Sequence, residues 1–154
     1  MAYCLYAGLV TDTGNFRWGT PRMHRLAGEL MGYGLDTRQI SMDLIDKASA
    51  RDLQIMGGVL ADLQNFREAG LKLSVFTIPA ESLARMSQTT VEAIIDYARA
   101  LEGCDVGMVL KQNGPKRWAV SLRSSVIDVS KLAQRFGGGG HIPAAGYTAY
   151  GSQD

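Results

Sequence analysis

Four consecutive glycines near the end of the chain, Gly137–Gly140, constrain the fold more than any other stretch. Ordering a glycine costs roughly 1 kcal/mol more than ordering an alanine, so a folded structure that uses four needs a compensating reason. A flexible linker is one interpretation, but the run passes directly into His141-Ile142-Pro143-Ala144-Ala145-Gly146. Backbone without side chains lets N–H groups converge on an anion. The run therefore predicts an anion-binding loop, with Pro143 starting a short helix whose N-terminus faces the same anion.

The composition is that of a folded protein with room for one domain or for one small domain and part of another. The 154 residues are 46% hydrophobic and 20% charged, which suffices for a packed core. The formal charge of +1 argues against general electrostatic coating of long DNA, so any anion site must be local. Cys4 and Cys104 lack disulfide or metal-site spacing and are interpreted as buried small hydrophobes. We expect a cytoplasmic protein without membrane contact, because no apolar run approaches the roughly 20 residues of a membrane span.

Hydrophobic periodicity divides the chain into a helical first third and a mixed remainder. Ala2–Val10 is a short buried helix or strand, Thr20-Pro21 starts a helix, and Asp36 caps another that runs to about Lys47. A further helix covers 50–60. The later predicted elements are a hairpin near 65–70 leading into a strand at 71–78, helices at 80–86 and 90–101, a hairpin of 106–112 with 117–124, a helix at 128–135 and an edge strand at 147–150. The fold class is α/β, a small mixed sheet with flanking helices that follows a helical segment.

The second strand of the later hairpin alternates in side-chain character, so its two faces differ. Trp118, Val120 and Leu122 share one face, which predicts core. Arg123 shares the other face with the small residues Ala119 and Ser121. A planar guanidinium with room around it suits bidentate contact with phosphate, while a solvated surface arginine is the plainer interpretation.

His141 directly follows the glycine run and could donate a hydrogen bond to phosphate or protonate a leaving oxygen. Its plainer interpretation is a structural histidine. The window 111–135 carries six basic residues against one acid, which supports a local anion site or, alternatively, a solvated basic face.

Asp12 ends an apolar element within Leu9-Val10-Thr11-Asp12-Thr13-Gly14. Hard divalent cations prefer such oxygen ligands, although one aspartate cannot hold a catalytic metal pair and a turn-forming aspartate is the alternative. The Asp-Thr-Gly string also occurs in aspartic proteases, but those folds are almost entirely β, whereas the surrounding sequence here is helical in pattern.

Three stretches, Gly8–Arg17, Ser121–Ser124 and Phe136–Gly146, together resemble the DHH superfamily of phosphoesterases. The branch that they resemble contains nanoRNases, pAp phosphatases and cyclic-dinucleotide phosphodiesterases. The resemblance implies the helical end of a catalytic domain at 1–50, a linker helix at 51–59 and a DHH-associated substrate-binding domain at 60–154. It also implies a homodimeric parent enzyme that hydrolyses short oligoribonucleotides, 3′-phosphoadenosine 5′-phosphate or cyclic dinucleotides.

Site residues follow from the same resemblance. Asp12 is implied as a metal and catalytic residue, for an enzyme that uses two manganese ions, and His141 as a catalytic and substrate-binding residue. The remaining implied contacts to substrate are Arg123, Gly138, Gly139, Gly140 and, more weakly, Arg17.

The sequence departs from the superfamily pattern at the metal site. The Asp-His-His tripeptide is absent, because histidines stand only at positions 24 and 141. We therefore expect an incomplete metal site and no hydrolysis by this chain alone. The alternatives are a module that binds nucleotide or single-stranded nucleic acid without cleaving it, and the alanyl-tRNA editing relatives, which lack the Thr11–Gly14 segment.

Overall fold

A computed structural model describes residues 1–46 and 48–152, which fall into two units, Met1–Ala48 and Ser49–Asp154. The predicted end of a helix at Lys47 lies outside the described residues. No helix among the described residues is long and apolar enough to cross a membrane.

The described residues of the first unit form three helices, α1 (Ala2–Asp12), α2 (Pro21–Met31) and α3 (Thr37–Leu44). Both predicted helix starts are confirmed: the Thr20 hydroxyl accepts the Met23 N–H at 3.3 Å, and the Asp36 carboxylate accepts the Gln39 N–H at 2.9 Å. These caps satisfy N–H groups that the first helical turn leaves without partners. The buried residues of the unit are Tyr6, Val10, Ala27, Leu30 and Ile40.

Helix α1 is buried along one stripe only. Tyr6 and Val10 are one helical turn apart and point into the core, whereas Tyr3 and Leu5 are about half exposed. The prediction that Cys4 is buried is wrong, because Cys4 lies on the face of α1 opposite Tyr6 and is exposed.

The second unit is a six-stranded mixed sheet with flanking helices, which confirms the predicted fold class. Its elements are α4 (Ala50–Ala61), β1 (Gln64–Glu68), β2 (Leu71–Ile78), α5 (Ala80–Arg85), α6 (Gln88–Ala100), β3 (Val106–Gly114), β4 (Arg117–Arg123), α7 (Val129–Arg135), β5 (Gly139–His141) and β6 (Ala144–Tyr150). The strand order is β1-β2-β3-β4-β6-β5. Among the strands of the described residues, β2 and β3 alone pair in parallel, and the crossover through α5 and α6 joins them.

The sheet has an apolar core on each face. On what we call the α6 face, Phe76, Ile78 and Val109 pack with Ile94 and Ile95 of α6. On the opposite, α7 face, Trp118, Val120 and Leu122 pack with Val129 and Ala133 of α7. The predicted alternation along β4 is therefore confirmed. The segment expected to be a linker, 51–59, lies within α4, which packs against α6 and β2.

One buried carboxylate joins two of the helices on the α6 face. Asp52, near the start of α4 and 7% exposed, accepts the backbone N–H of Ser87 at 2.9 Å and the hydroxyl of Ser49 at 2.9 Å. The Ser87 N–H, followed by Ser49, lowers the pKa of Asp52. Ser87 is the N-cap of α6, so the carboxylate fixes the start of α6 to α4.

The end of the chain differs from the sequence prediction. Pro143 does not start a helix: Ile142 and Pro143 form a two-residue turn between β5 and β6. Proline suits a turn because its φ is fixed and a turn position does not require its N–H. The last strand also begins earlier than predicted, at Ala144, and it is interior to the sheet because β5 covers its outer side at residues 144–146.

Candidate functional site

The glycine run ends one helix and starts a strand. Gly137 adopts φ +73°, and its N–H donates to the Gln134 carbonyl at 3.1 Å, while the Gly138 N–H donates to the Ala133 carbonyl at 2.9 Å. These two bonds form the Schellman motif that commonly closes α-helices. The prediction that all four glycines form an anion-binding loop is therefore wrong, because the N–H groups of Gly137 and Gly138 already donate to carbonyl oxygens of α7.

At three of the four positions, the local structure explains why the residue is glycine. Gly137 needs its positive φ. A side chain at Gly138 would lie 2.1 Å from the Gly146 carbonyl oxygen, and one at Gly140 would lie 2.5 Å from the Ala145 Cα. Gly139 is different, because a Cβ there would meet nothing within 4 Å and its φ is not in the left-handed region. Its missing side chain leaves open space beside the sheet.

Strand register brings His141 and Arg123 onto one face. Arg123 of β4 lies opposite Ala144 of β6, and Ala144 lies opposite His141 of β5. Directly opposite residues of antiparallel strands share a face, so both side chains belong to the α6 face, with one alanine between them. Two strand spacings separate their backbones by roughly 10 Å.

Small residues line the same face between and beside these two. The neighbouring row consists of Ser121, Gly146 and Gly139, and the row after it pairs Ala119 with Thr148. Glycine, alanine and serine leave the sheet backbone accessible to a ligand from this side.

Arg123 is half buried and incompletely bonded. Its Nη1 donates to the Leu122 carbonyl at 2.9 Å, but its buried Nε has no acceptor among the described residues. Burial lowers the pKa of the guanidinium, Arg99 lowers it further, and Glu92 and Asp96 oppose that shift. Buried donors without partners are rare and costly in folded proteins. The interpretation of Arg123 as an ordinary solvated arginine is therefore wrong.

Lys111 is a second half-buried cation on this face, and sequence reasoning did not single it out. Its Nζ donates to the Ser121 hydroxyl at 3.0 Å. Burial lowers the pKa of Lys111, Glu92 raises it and Arg123 lowers it. The period of two along β3 places Lys111 on the same side as buried Val109, which is the signal that could have identified it.

Helix α6 is held unusually close to this face by Gly107 of β3. A side chain at Gly107, which lies opposite Arg123, would come within 1.9 Å of the Ala98 carbonyl oxygen. The close packing places the charged residues of α6 beside Arg123. Of these, Asp96 is bonded to Arg99 at 3.1 Å, and Glu92 accepts from Gln88 at 2.7 Å. Both carboxylates thus have other partners besides the strand cations.

Asp12 and Arg17 belong to the first unit, where both are exposed. Asp12 is the last residue of α1, and the side chain that shapes the following turn is Thr13, whose hydroxyl donates to the Leu9 carbonyl at 2.6 Å and accepts the Phe16 N–H at 2.7 Å. Across residues 1–46 and 48–152, no group of three or more His, Cys, Asp or Glu side chains could hold a metal ion. The described residues alone therefore do not fit the manganese pair that the resemblance implies.

Most of the second unit matches a known protein-domain family. Residues 76–154, about half of the chain, match the DHHA1 domain family. The chain belongs to the DHH superfamily and carries its DHH-associated domain, DHHA1.

Two named relatives share nearly the full length of the chain. The bifunctional oligoribonuclease and PAP phosphatase NrnA of Thermus thermophilus is 34% identical over 149 residues, which is 94% of this chain and 43% of the relative. The protein of that name from Mycoplasma pneumoniae is 24% identical over 99% of this chain and 47% of its own length. The chain thus spans about half the length of the curated relatives that it matches.

A solved structure supports the fold. An exopolyphosphatase-related protein from Bacteroides fragilis superimposes with a TM-score of 0.81 at 25% identity, over 99% of this chain and 46% of that protein.

Proposed function

We propose that this chain supplies the nucleotide-binding part of a phosphoesterase that acts on short oligoribonucleotides, 3′-phosphoadenosine 5′-phosphate or cyclic dinucleotides. The observation that carries this proposal is the half-buried Arg123, whose Nε has no acceptor among the described residues. A phosphate oxygen on the open side of the sheet would satisfy that donor and offset the cost of burying the charge.

Each neighbouring residue has a distinct part in this proposal. Arg123 is the main phosphate contact, and Lys111 adds positive charge beside Ser121 on the same face. His141 approaches from the far side of Ala144, where a donor could contact a second oxygen of the phosphate or a leaving oxygen. Gly139 contributes by having no side chain, which keeps the space over the strand free for the ligand.

The relatives supply the reaction class in this proposal. Two of them are named as oligoribonucleases and PAP phosphatases, and both are about twice as long as this chain. Asp12 is proposed as one metal ligand of the parent enzyme, with manganese as the metal. Because the described residues contain no set of three candidate ligands, we propose that the purified chain binds nucleotide without hydrolysing it. Manganese-dependent release of AMP or phosphate by the purified chain would contradict this.

A binding module without any hydrolytic role is the second candidate, and the exposed, isolated position of Asp12 favours it. The two candidates differ in what Asp12 does when manganese is present. In a part of a metal-dependent enzyme, Asp12→Ala should remove any manganese enhancement of nucleotide binding. In a pure binding module, the variant should bind the nucleotide as the wild type does, with and without the metal.

Calorimetric titration of 3′-phosphoadenosine 5′-phosphate into the chain tests the main proposal. A hydrogen bond to a charged group is worth about 1.5–3 kcal/mol, so Arg123→Ala should weaken binding by roughly 10- to 150-fold. His141→Ala should weaken it less, because that side chain is exposed. Arg67→Ala, at an exposed arginine of β1 on the opposite edge of the sheet, is the matched control. Equal affinities of Arg123→Ala and wild type would refute the phosphate site.

A further inference from the structure

The C-terminal edge of the sheet contains a cleft that the phosphate contacts do not use. Strand β5 pairs only with residues 144–146 of β6, so among the described residues 147–150 pair with β4 on one side and have no strand on their outer side. An open cleft of about 580 Å³ lies along this edge, within the size of roughly 300–1,000 Å³ that is typical of small-molecule sites.

Aromatic rings and bare backbone form the walls of the cleft. Phe136 stacks on Tyr147 with ring centroids 4.8 Å apart and an interplanar angle of 20°. The stack covers one face of the Phe136 ring, yet this residue is still 57% exposed, so its other face is open. Tyr150, which is 77% exposed, lines the cleft further along β6. An exposed ring already held parallel to another ring is a platform for a further planar ring.

The glycines next to Phe136 keep the platform accessible. Gly137 and Gly138 also line the cleft, and neither has a side chain that could cover the open ring face. The Schellman bonds from these two glycines to α7 fix the backbone at Phe136, the C-cap residue, and the stack on Tyr147 supports its ring.

The cleft is also within reach of the phosphate contacts. Thr148, which lines the cleft, lies on the α6 face with Arg123, whereas Tyr147 lies opposite Val120 on the α7 face, so a ligand reaches Phe136 by turning around the open edge of β6. Ala144, between His141 and Arg123, is four residues from Thr148. At 3.3 Å per residue this is roughly 13 Å along β6, a span that a short nucleotide can bridge.

From these contacts we propose that the cleft holds an unpaired nucleobase of the bound nucleotide, stacked on the open face of Phe136. The inference rests on the proposed function, because the phosphate contacts at Arg123 and His141 place the nucleotide on this sheet. It adds a reason for short single-stranded substrates: a base within a duplex has no free face to offer.

Two ligands that differ only in their bases test the inference on the 154-residue chain. The first is a 5′-phosphorylated diadenylate and the second is the abasic dinucleotide with the same backbone. Base stacking on an aromatic side chain corresponds to roughly a 5- to 150-fold difference in affinity. Phe136→Leu should therefore weaken diadenylate binding by that factor and leave abasic binding unchanged, while Phe136→Trp should retain diadenylate affinity. Phe66→Leu, at a 51% exposed phenylalanine of β1, should change neither affinity.

The outcomes separate this inference from the proposed function. Suppose that Arg123→Ala no longer binds either ligand, whereas Phe136→Leu binds diadenylate as tightly as the wild type does. In that case only the stacking site is refuted. Equal weakening of both ligands by Phe136→Leu would indicate a structural role for the ring and would also refute it. If the wild-type chain binds neither ligand, the phosphate site and the stacking site both fail. Thermal unfolding of each variant shows whether it is folded during the titrations.

Discussion

The two faces of strand β4 show how one short segment can serve stability and binding separately. On the α7 face, Leu122 is completely buried in an apolar cluster. On the α6 face, the adjacent residues Ser121 and Arg123 are polar, half exposed and next to Lys111. The first face resembles any protein core, whereas the second retains a cation with an unpartnered donor. This difference shows that a side chain suited to ligand binding can lie next to a core residue in sequence without exposing the core to solvent.

The largest expected effect is on the α7 face. Leu122→Ala should lower the free energy of unfolding by about 2–5 kcal/mol, because it leaves a cavity in a fully packed cluster. Ser121→Ala, one residue away on the other face, should cost only about 1 kcal/mol through the lost bond from Lys111. Urea denaturation of both variants measures the difference. Similar losses of unfolding free energy in the two variants would show that the two faces of β4 do not differ in their contribution to stability.

Adjacent glycines provide the next test. Gly138→Ala should destabilise the chain by about 1–3 kcal/mol, since the new methyl group meets backbone at 2.1 Å. Gly139→Ala should leave stability nearly unchanged, because nothing lies within 4 Å of the added Cβ, but it should weaken nucleotide binding. Denaturation and calorimetry on both variants separate these effects. A Gly139→Ala chain with wild-type affinity would remove that position from the binding face.

A smaller effect is expected at Lys111. Lys111→Met should weaken binding of 3′-phosphoadenosine 5′-phosphate about fivefold, or ~1 kcal/mol, by removing one cation from the α6 face. Stability should change little, because the loss of the bond to Ser121 is offset by removing the unfavourable burial of the ammonium group, which lowers the pKa of Lys111. Lys116→Met, in the exposed β3–β4 turn, is the matched control. Equal affinities of the Lys111 and Lys116 variants would place the phosphate elsewhere.

The smallest effect concerns the position of α6. The pKa of Asp52 is lowered in the folded chain, so its ionised form stabilises the fold above the unfolded pKa near 3.8, and this contribution is lost as the pH falls through the folded value. Stability of the wild type should therefore decrease more steeply below about pH 4 than that of Asp52→Asn. Urea titrations from pH 5 to pH 2.5 measure both slopes, with Asp62→Asn, at the exposed C-cap of α4, as the control. If the free energy of unfolding depends on pH in the same way in the wild type and in Asp52→Asn, the charge of Asp52 does not stabilise the packing of α6 on α4.

Local sequence signals were sufficient for much of the fold. Thr20, Asp36 and Asp128 each accept a backbone N–H in the first turn of a helix, as cap residues do wherever they occur. The hairpin predicted for 106–112 with 117–124 is likewise present as β3 and β4, with its turn at Pro115 and Lys116. These features depend on residues a few positions apart, so no knowledge of the tertiary structure was needed.

Features that depend on distant pairing were missed. The glycine run was predicted to be a loop because nothing local shows that 139–141 will pair with 144–146. The bond from Lys111 to Ser121 becomes visible only when β3 and β4 pair, and the tight contact at Gly107 only when α6 packs onto β3. The roles of Asp12, Arg17, Arg123, His141 and the glycines as metal ligands or substrate contacts remain predictions.

The order of strands in the sheet has a consequence for the folding kinetics. Three hairpins, β1–β2, β3–β4 and β5–β6, can form from neighbouring residues, whereas β2 pairs with β3 across α5 and α6, and β4 pairs with β6 across α7, a pairing that we expect to form later than the hairpins. His141 and Arg123 come together only through that late pairing. A nucleotide that bridges them would stabilise the pairing of β4 with β6, so its presence should slow amide hydrogen exchange in β6 more than in the β1–β2 hairpin.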